Sequence, residues 1–113
     1  MAQNRNQLVD IFISNLANAI VHAILEKSID KKEFISKYRN EAINSYSIAK
    51  KYREKINPID RCFTDKDIAY VKEKLYKRVN AELNLRISKG YQNINLDLVD
   101  VEIDKALKEL NVK

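Results

Sequence analysis

The residues of this chain that could do chemistry are few, and they stand apart from one another. His22 is the only histidine. Glu26 follows it by one helical turn, close enough for a carboxylate to hydrogen-bond and polarise the imidazole. Such a pair more commonly makes a satisfied polar spot on a half-buried helix, and no further catalytic group accompanies this one. A lone histidine also excludes zinc sites that need two or more, and the paired Glu-x-x-His motifs of di-iron bundles. Cys62, the only cysteine, lies beside Arg61 and just ahead of Thr64, a helix-starting residue. A cation and a helix N-terminus both favour the thiolate, but no base stands near it in sequence, so a plain buried thiol is expected. With a single glycine, a glycine-rich phosphate cradle or dinucleotide fingerprint cannot be built, and no H-E-x-x-H motif is present. The sequence therefore predicts no catalytic residue, no metal site and no cofactor.

The other chemistry available is charge. Residues 1–90 carry 18 Lys and Arg against 11 Asp and Glu, whereas residues 91–113 carry three Lys against five acids. Basic side chains concentrate at Lys50, Lys51, Arg53 and Lys55, and again at Lys72, Lys74, Lys77 and Arg78. If the two helices bearing them pack antiparallel, both groups could share one end or face. A nucleic-acid reader needs such a patch, because neutralising phosphates releases counterions and supplies most non-specific affinity. Tyr46, Tyr52, Tyr70, Tyr76 and Tyr91 lie among these charges and could stack on unpaired bases. Against this, Lys-rich helix faces are ordinarily just solvated. Glu33–Lys37, Glu73–Lys77 and Glu82–Arg86 run in the favourable acid-before-base order. A helix-turn-helix reader is disfavoured, since the helix after Gly90 carries Asp97, Asp100, Glu102 and Asp104, which repel phosphate. That acidic helix is suited to docking on basic residues of its own chain or of a neighbour.

The elements that position these residues are helices. From Leu8 to Leu25 the chain reads LVDIFISNLANAIVHAIL, with Asp10, Ser14, Asn18 and His22 at fourfold spacing, a narrow polar row on an otherwise apolar helix. This first helix is predicted over about Gln7–Lys27. Asp30 and Glu33 form a capping-box pattern for the second, which runs to Ile56 and is stopped by Asn57 and Pro58. Its buried row is Phe34/Ile35, Tyr38, Ala42, Ser45/Tyr46, Ala49 and Arg53/Ile56. Thr64 caps the third helix, Asp65 and Asp67 suit its dipole, and Ile68, Val71, Leu75, Val79, Leu83 and Ile87 form its apolar row. Gly90 stands where a left-handed C-terminal residue belongs. Asn95 opens a shorter last helix with Leu96, Val99, Ile103, Ala106/Leu107 and Leu110 inward.

One domain of 113 residues can bury a modest core. One Gly and one Pro are too few for a β-sandwich or barrel with tight turns. The expectation is an all-α, up-down bundle of three long helices and one shorter C-terminal helix, spanning residues 1–113. The broad apolar surface of the first helix fits either a central position or a dimer seam. The seam is the preferred reading, with Ile13, Ala17, Ile20 and Ile24 as the oligomer interface. A lone cysteine points to a reducing interior. The N-terminal MAQNRNQLVD lacks the apolar core and cleavage site of a signal peptide, and polar residues within Leu8–Leu25 would be costly in lipid. The chain is thus read as cytoplasmic, without a membrane partner. Its expected role is that of a non-enzymatic interaction or scaffold protein, a homo-oligomer that could also receive another protein. The second reading is a nucleic-acid-binding bundle that places Lys50, Lys51, Arg53, Lys55, Lys74, Lys77 and Arg78 on phosphates.

Overall fold

A computed structural model describes residues 4–28 and 32–113. Four helices and no strand are present among the described residues: α1 (Arg5–Ser28), α2 (Lys32–Ile56), α3 (Asp65–Ser88) and α4 (Leu98–Glu109). The all-α bundle with three long helices and a shorter last one is what the periodicities imply. Pairings along α1 give the directions. Asn18, His22 and Glu26 meet Ser45, Glu41 and Arg39 in descending order, so α2 runs antiparallel to α1. Arg5, Asp10 and Ser14 meet Asp67, Tyr70 and Arg78 in ascending order, so α3 runs parallel to it. Lys27 at the far end of α1 holds Glu102 of α4, and Phe63 at the near end takes the backbone of Val112, which brings α4 back down.

The packing is not that of a square bundle. Helix α1 touches all three others and α3 touches α4, but α2 comes within 8 Å of neither α3 nor α4, measured between Cα atoms. Helix α1 is therefore the hub, and this accounts for its nearly all-round apolar surface. Phe12, Leu16, Ile24 and Leu25 are fully buried, as are Val71, Leu75, Val79 and Leu83 of α3. The link Asn57–Thr64 is long because it must carry the chain from α2 beneath α1 to α3. Phe63 anchors that crossing, its ring edge-on to Phe12 with centroids 6.1 Å apart.

Local chemistry sets most helix ends. Helix α1 starts two residues earlier than periodicity alone implies, because Asn4 and Gln7 form a reciprocal box. Gln7 N–H donates to Asn4 Oδ1 at 2.8 Å and Asn4 N–H to Gln7 Oε1 at 3.1 Å, satisfying two otherwise orphaned donors. The Asp30–Glu33 box predicted for α2 includes a residue outside those described. Thr64 caps α3 as expected, its Oγ1 accepting from Asp67 N–H at 3.2 Å. Gly90 has φ of +100°, and Tyr91 and Gly90 donate to the carbonyls of Arg86 and Ile87, a Schellman stop. Asn111, at φ of +55°, does the same for α4, with Val112 and Asn111 donating to Leu107 and Lys108. Helix α4 itself begins at Leu98 rather than Asn95, since the Asn95 side chain first closes a turn onto Asp97 N–H at 3.0 Å.

Candidate functional site

Because α2 stands away from both α3 and α4, α1 is left uncovered along two lines, and the two differ in chemistry. Between α2 and α3 runs the polar row of α1, and each turn of it finds a partner. Tyr70 donates to Asp10 at 3.4 Å, Arg78 donates to Ser14, and Asn18 donates to Ser45 at 2.6 Å. His22 faces Glu41 Oε2 with Nε2 at 2.7 Å and the Asn18 carbonyl with Nδ1 at 2.8 Å. Glu26 takes Arg39 at 2.7 Å. The row is thus a ladder that ties α2 and α3 to the hub, and fourfold spacing sufficed to place it.

Between α2 and α4 the floor of α1 is apolar. Ala19, Ile20 and Ala23, with Ala42, Ile43 and Tyr46 of α2 and Ala106 of α4, line a cleft of about 300 Å³. Small side chains on all three helices leave this space unfilled. Glu102, Lys105 and Glu109 stand along the α4 wall. The Tyr46 hydroxyl donates to Glu109 at 3.0 Å across the cleft. Burial first, and then that carboxylate, pushes the Tyr46 phenol well above its usual value. Ile43 is 56% exposed at the rim, an apolar side chain that the bundle leaves in water.

The residues expected to form an oligomer seam do not present one. Ile13, Ala17, Ile20 and Ile24 are all at or below 4% exposure, because the three helices around α1 cover these side chains. Of the four, Ile20 lines the apolar cleft. The basic group is also divided. Helices α2 and α3 run antiparallel with no pair of their Cα atoms within 8 Å, and none of Lys50, Lys51 and Lys55 lines the depressions on α1 that Lys74 and Arg78 line. Lys77 is paired with Glu73 at 2.9 Å.

Arg53 is not a phosphate ligand at all. Its side chain is fully buried, and it donates to the carbonyls of Leu110 at 2.8 Å, Asn57 at 3.1 Å, Arg61 at 2.8 Å and Asn111 at 2.9 Å. The Asn57 side chain accepts too, and the guanidinium lies 4.7 Å from the centroid of the Phe63 ring. This arginine binds the C-terminal carbonyls of α2 and α4 to the crossing link, a cation among the negative ends of two helices. Burial pushes its pKa down from the usual arginine value.

The catalytic candidates resolve in the same way. His22 pairs with Glu41 of α2 rather than with Glu26, which is drawn to Arg39. Both ring nitrogens of His22 lie within hydrogen-bond distance of oxygens of the chain itself. Cys62 is exposed rather than buried, with Sγ 3.6 Å from Asn111 Oδ1. No group of three or more His, Cys, Asp or Glu that could hold a metal ion occurs among the described residues. The acidic α4 does dock on basic residues of its own chain. Lys27 meets Glu102, while Lys72 at 3.3 Å and Lys113 at 2.7 Å meet Asp104. Helix α1 is long and apolar enough by composition to cross a membrane, and 61% of its most apolar window is buried inside the bundle. No protein-family model, curated protein or solved structure matches the chain.

Proposed function

We propose that this chain is a non-enzymatic, self-associating interaction protein, and that its contact surface is the apolar cleft between α2 and α4. The observation that carries this reading is the cleft itself, with its alanine-lined walls and the exposed Ile43 at its rim. Small side chains allow a neighbouring helix to approach closely, and a rim isoleucine supplies an apolar anchor.

Charge favours a second copy as the occupant. Apart from the buried Arg53, α2 carries six Lys and Arg against three Glu, and of the four acids of α4, Asp100 and Glu109 stand outside the ion pairs with Lys27, Lys72 and Lys113. A two-fold axis through the cleft sets the basic α2 of one copy over the acidic α4 of the other, twice. That is the self-complementarity an isologous interface requires. The α1 floor contributes through Ile20, so the first helix takes part from below rather than as an open seam. A single cysteine fits a reducing compartment, and we place the protein in the cytoplasm on that ground.

Size-exclusion chromatography with light scattering tests the reading. The wild-type chain is expected as a dimer, and Ile43→Glu as a monomer with an unchanged melting temperature, because Ile43 is mostly in water already. A wild-type monomer at about 100 µM would exclude an interface of even modest affinity. A dimer that survives Ile43→Glu would place the contact elsewhere.

A further inference from the structure

The seam between α1 and α3 forms a continuous trough on the opposite side of the hub from the apolar cleft. Three depressions of about 490, 350 and 410 Å³ lie end to end along it. The first two share Asp10 and Tyr70, and the last two share Ser14 and Arg78. The trough follows α1 from Arg5 to beyond Asn18, roughly 20 Å at 1.5 Å per residue. Lys66, Tyr70, Lys74 and Arg78 form its α3 wall at fourfold spacing, so they succeed one another about every 6 Å along one side.

The charges in this trough are unevenly satisfied. Asp67 holds Arg5 and Glu82 holds Arg86, whereas Asp10 accepts only from the neutral Tyr70 hydroxyl; at longer range Lys66 acts on Asp67 and Lys74 on Glu73. The Arg5 guanidinium keeps the Asp67 carboxyl below the usual carboxylate range. Lys66, Lys74 and Arg78 have no carboxylate within 4.0 Å among the described residues. Arg78 rests on the Ser14 hydroxyl, and the Lys74 ammonium lies 5.7 Å from the centroid of the Tyr70 ring. Tyr70 itself is 43% exposed. A row of unpaired cations at regular intervals, interrupted by one accessible aromatic ring, is the arrangement that binds an extended polyanion bearing flat bases.

We propose that the α1–α3 trough binds single-stranded nucleic acid, with phosphates meeting Lys66, Lys74 and Arg78 and a base stacking on Tyr70. The incoming base displaces the Lys74 ammonium from the ring and the ammonium turns to the adjacent phosphate. Arg78 retains donors beyond the one it gives Ser14, so guanidinium and hydroxyl together can hold a phosphate oxygen pair. A trough between neighbouring helices, with axes about 8–10 Å apart, takes one strand and not a duplex. This site shares no residue with the apolar cleft, so either proposal can fail without the other.

The test is fluorescence anisotropy with a labelled thymidine oligonucleotide of about 12 residues, titrated at about 50 and 200 mM salt. Lys74→Gln with Arg78→Gln should weaken binding at least tenfold and flatten the salt slope by about 1.4, two phosphate contacts at roughly 0.7 each. Tyr70→Ala should weaken it about tenfold with the salt slope unchanged. Lys50→Gln with Lys51→Gln removes the same charge from α2, outside the trough, and should change affinity by less than about threefold. If the glutamine pair at 74 and 78 fails to fold, as judged by thermal melting, Ser14→Asp sets a carboxylate on the exposed trough floor and should weaken binding equally. Equal losses from the two lysine-bearing pairs would overturn the proposal, as would a silent Tyr70→Ala or no binding at low salt. Displacement of the oligonucleotide by polyglutamate or anionic vesicles at equal charge would likewise overturn it.

Discussion

Replacing Arg53 should do more damage than any other single change to a charged residue in this chain; of Lys50, Lys51, Arg53 and Lys55, it alone falls on the inward row of α2. The perturbation is Arg53→Met, which keeps the volume and apolar stem and removes the guanidinium. Four backbone carbonyls, at Asn57, Arg61, Leu110 and Asn111, then lose a charged donor. A buried acceptor left without a partner costs about 1–3 kcal/mol. The Leu110 bond is buried, while the other three lie near the surface where water can partly replace the lost donor. The sum is about 3–5 kcal/mol, the range found when one partner of a buried charged network is removed. Substituting an apolar residue is not neutral here, because the carbonyls stay behind. Against a total stability of about 5–15 kcal/mol, that loss should lower the melting temperature by roughly 10–20 °C in a domain of this size. Urea and thermal unfolding followed by circular dichroism measure it, with Lys55→Met as the surface control expected within about 0.5 kcal/mol of wild type. Arg53→Lys should recover only part of the loss, since one ammonium cannot reach carbonyls arranged around a planar fork. A loss below about 1 kcal/mol for Arg53→Met, or a fully stable Arg53→Lys, would refute the view that this arginine joins the ends of α2 and α4.

Gly90→Ala should cost about 1 kcal/mol in urea unfolding. A Cβ there meets nothing within 4 Å, so the cost is entirely that of holding an L-residue at φ of +100°. Stability should also fall at high pH. Tyr38 is pushed up to about 12 by burial first and then by its hydrogen bond to Tyr91, and Tyr46 is raised as well. Unfolded tyrosine titrates near 10, so the folded state holds these protons more tightly. Their contribution is fully present below about pH 10 and lost as pH rises through the folded values. Urea midpoints should drop between about pH 10 and 12, and Tyr38→Phe with Tyr46→Phe should largely remove the drop.

Much of the local structure was legible in the residues because its causes are local. The 3–4 periodicity of Val71, Leu75, Val79 and Leu83 marks the buried face of α3 whatever helix lies against it. Thr64 and Gly90 end that helix through bonds to residues three to five positions away. The polar row of α1 was legible for the same reason, but its partners were not. His22 faces Glu41 rather than Glu26, since a neighbouring helix offers better geometry than the next turn of its own. The Asn4–Gln7 box carries a recognisable N-x-x-Q signal, outweighed by the apolar run that begins at Leu8. For α2, only one face is inward; the periodicity placed Tyr38, Ser45, Ala49 and Arg53 there rightly and Phe34 wrongly, since its ring is exposed, and it could not say what Arg53 would meet.

What the sequence by itself determined is four helices, the Thr64 and Gly90 ends of α3, most of the inward faces of α2, α3 and α4 (Phe34, Ile87 and Leu96 are instead exposed), and the need to wrap α1 nearly all round. What only the tertiary structure decided is who does the wrapping and which charges are left over. The link Asn57–Thr64 passes beneath α1, held by Phe63 against Phe12, and so delivers α3 to a flank of the hub that α2 does not share. That single crossing buries Ile13, Ala17, Ile20 and Ile24 within the chain, separates the lysines of α2 from those of α3, and encloses Arg53 among carbonyls. Helical periodicity reports a residue's direction from its own axis. Its neighbours depend on the path of the chain between helices, and segments far apart in sequence decide that path together.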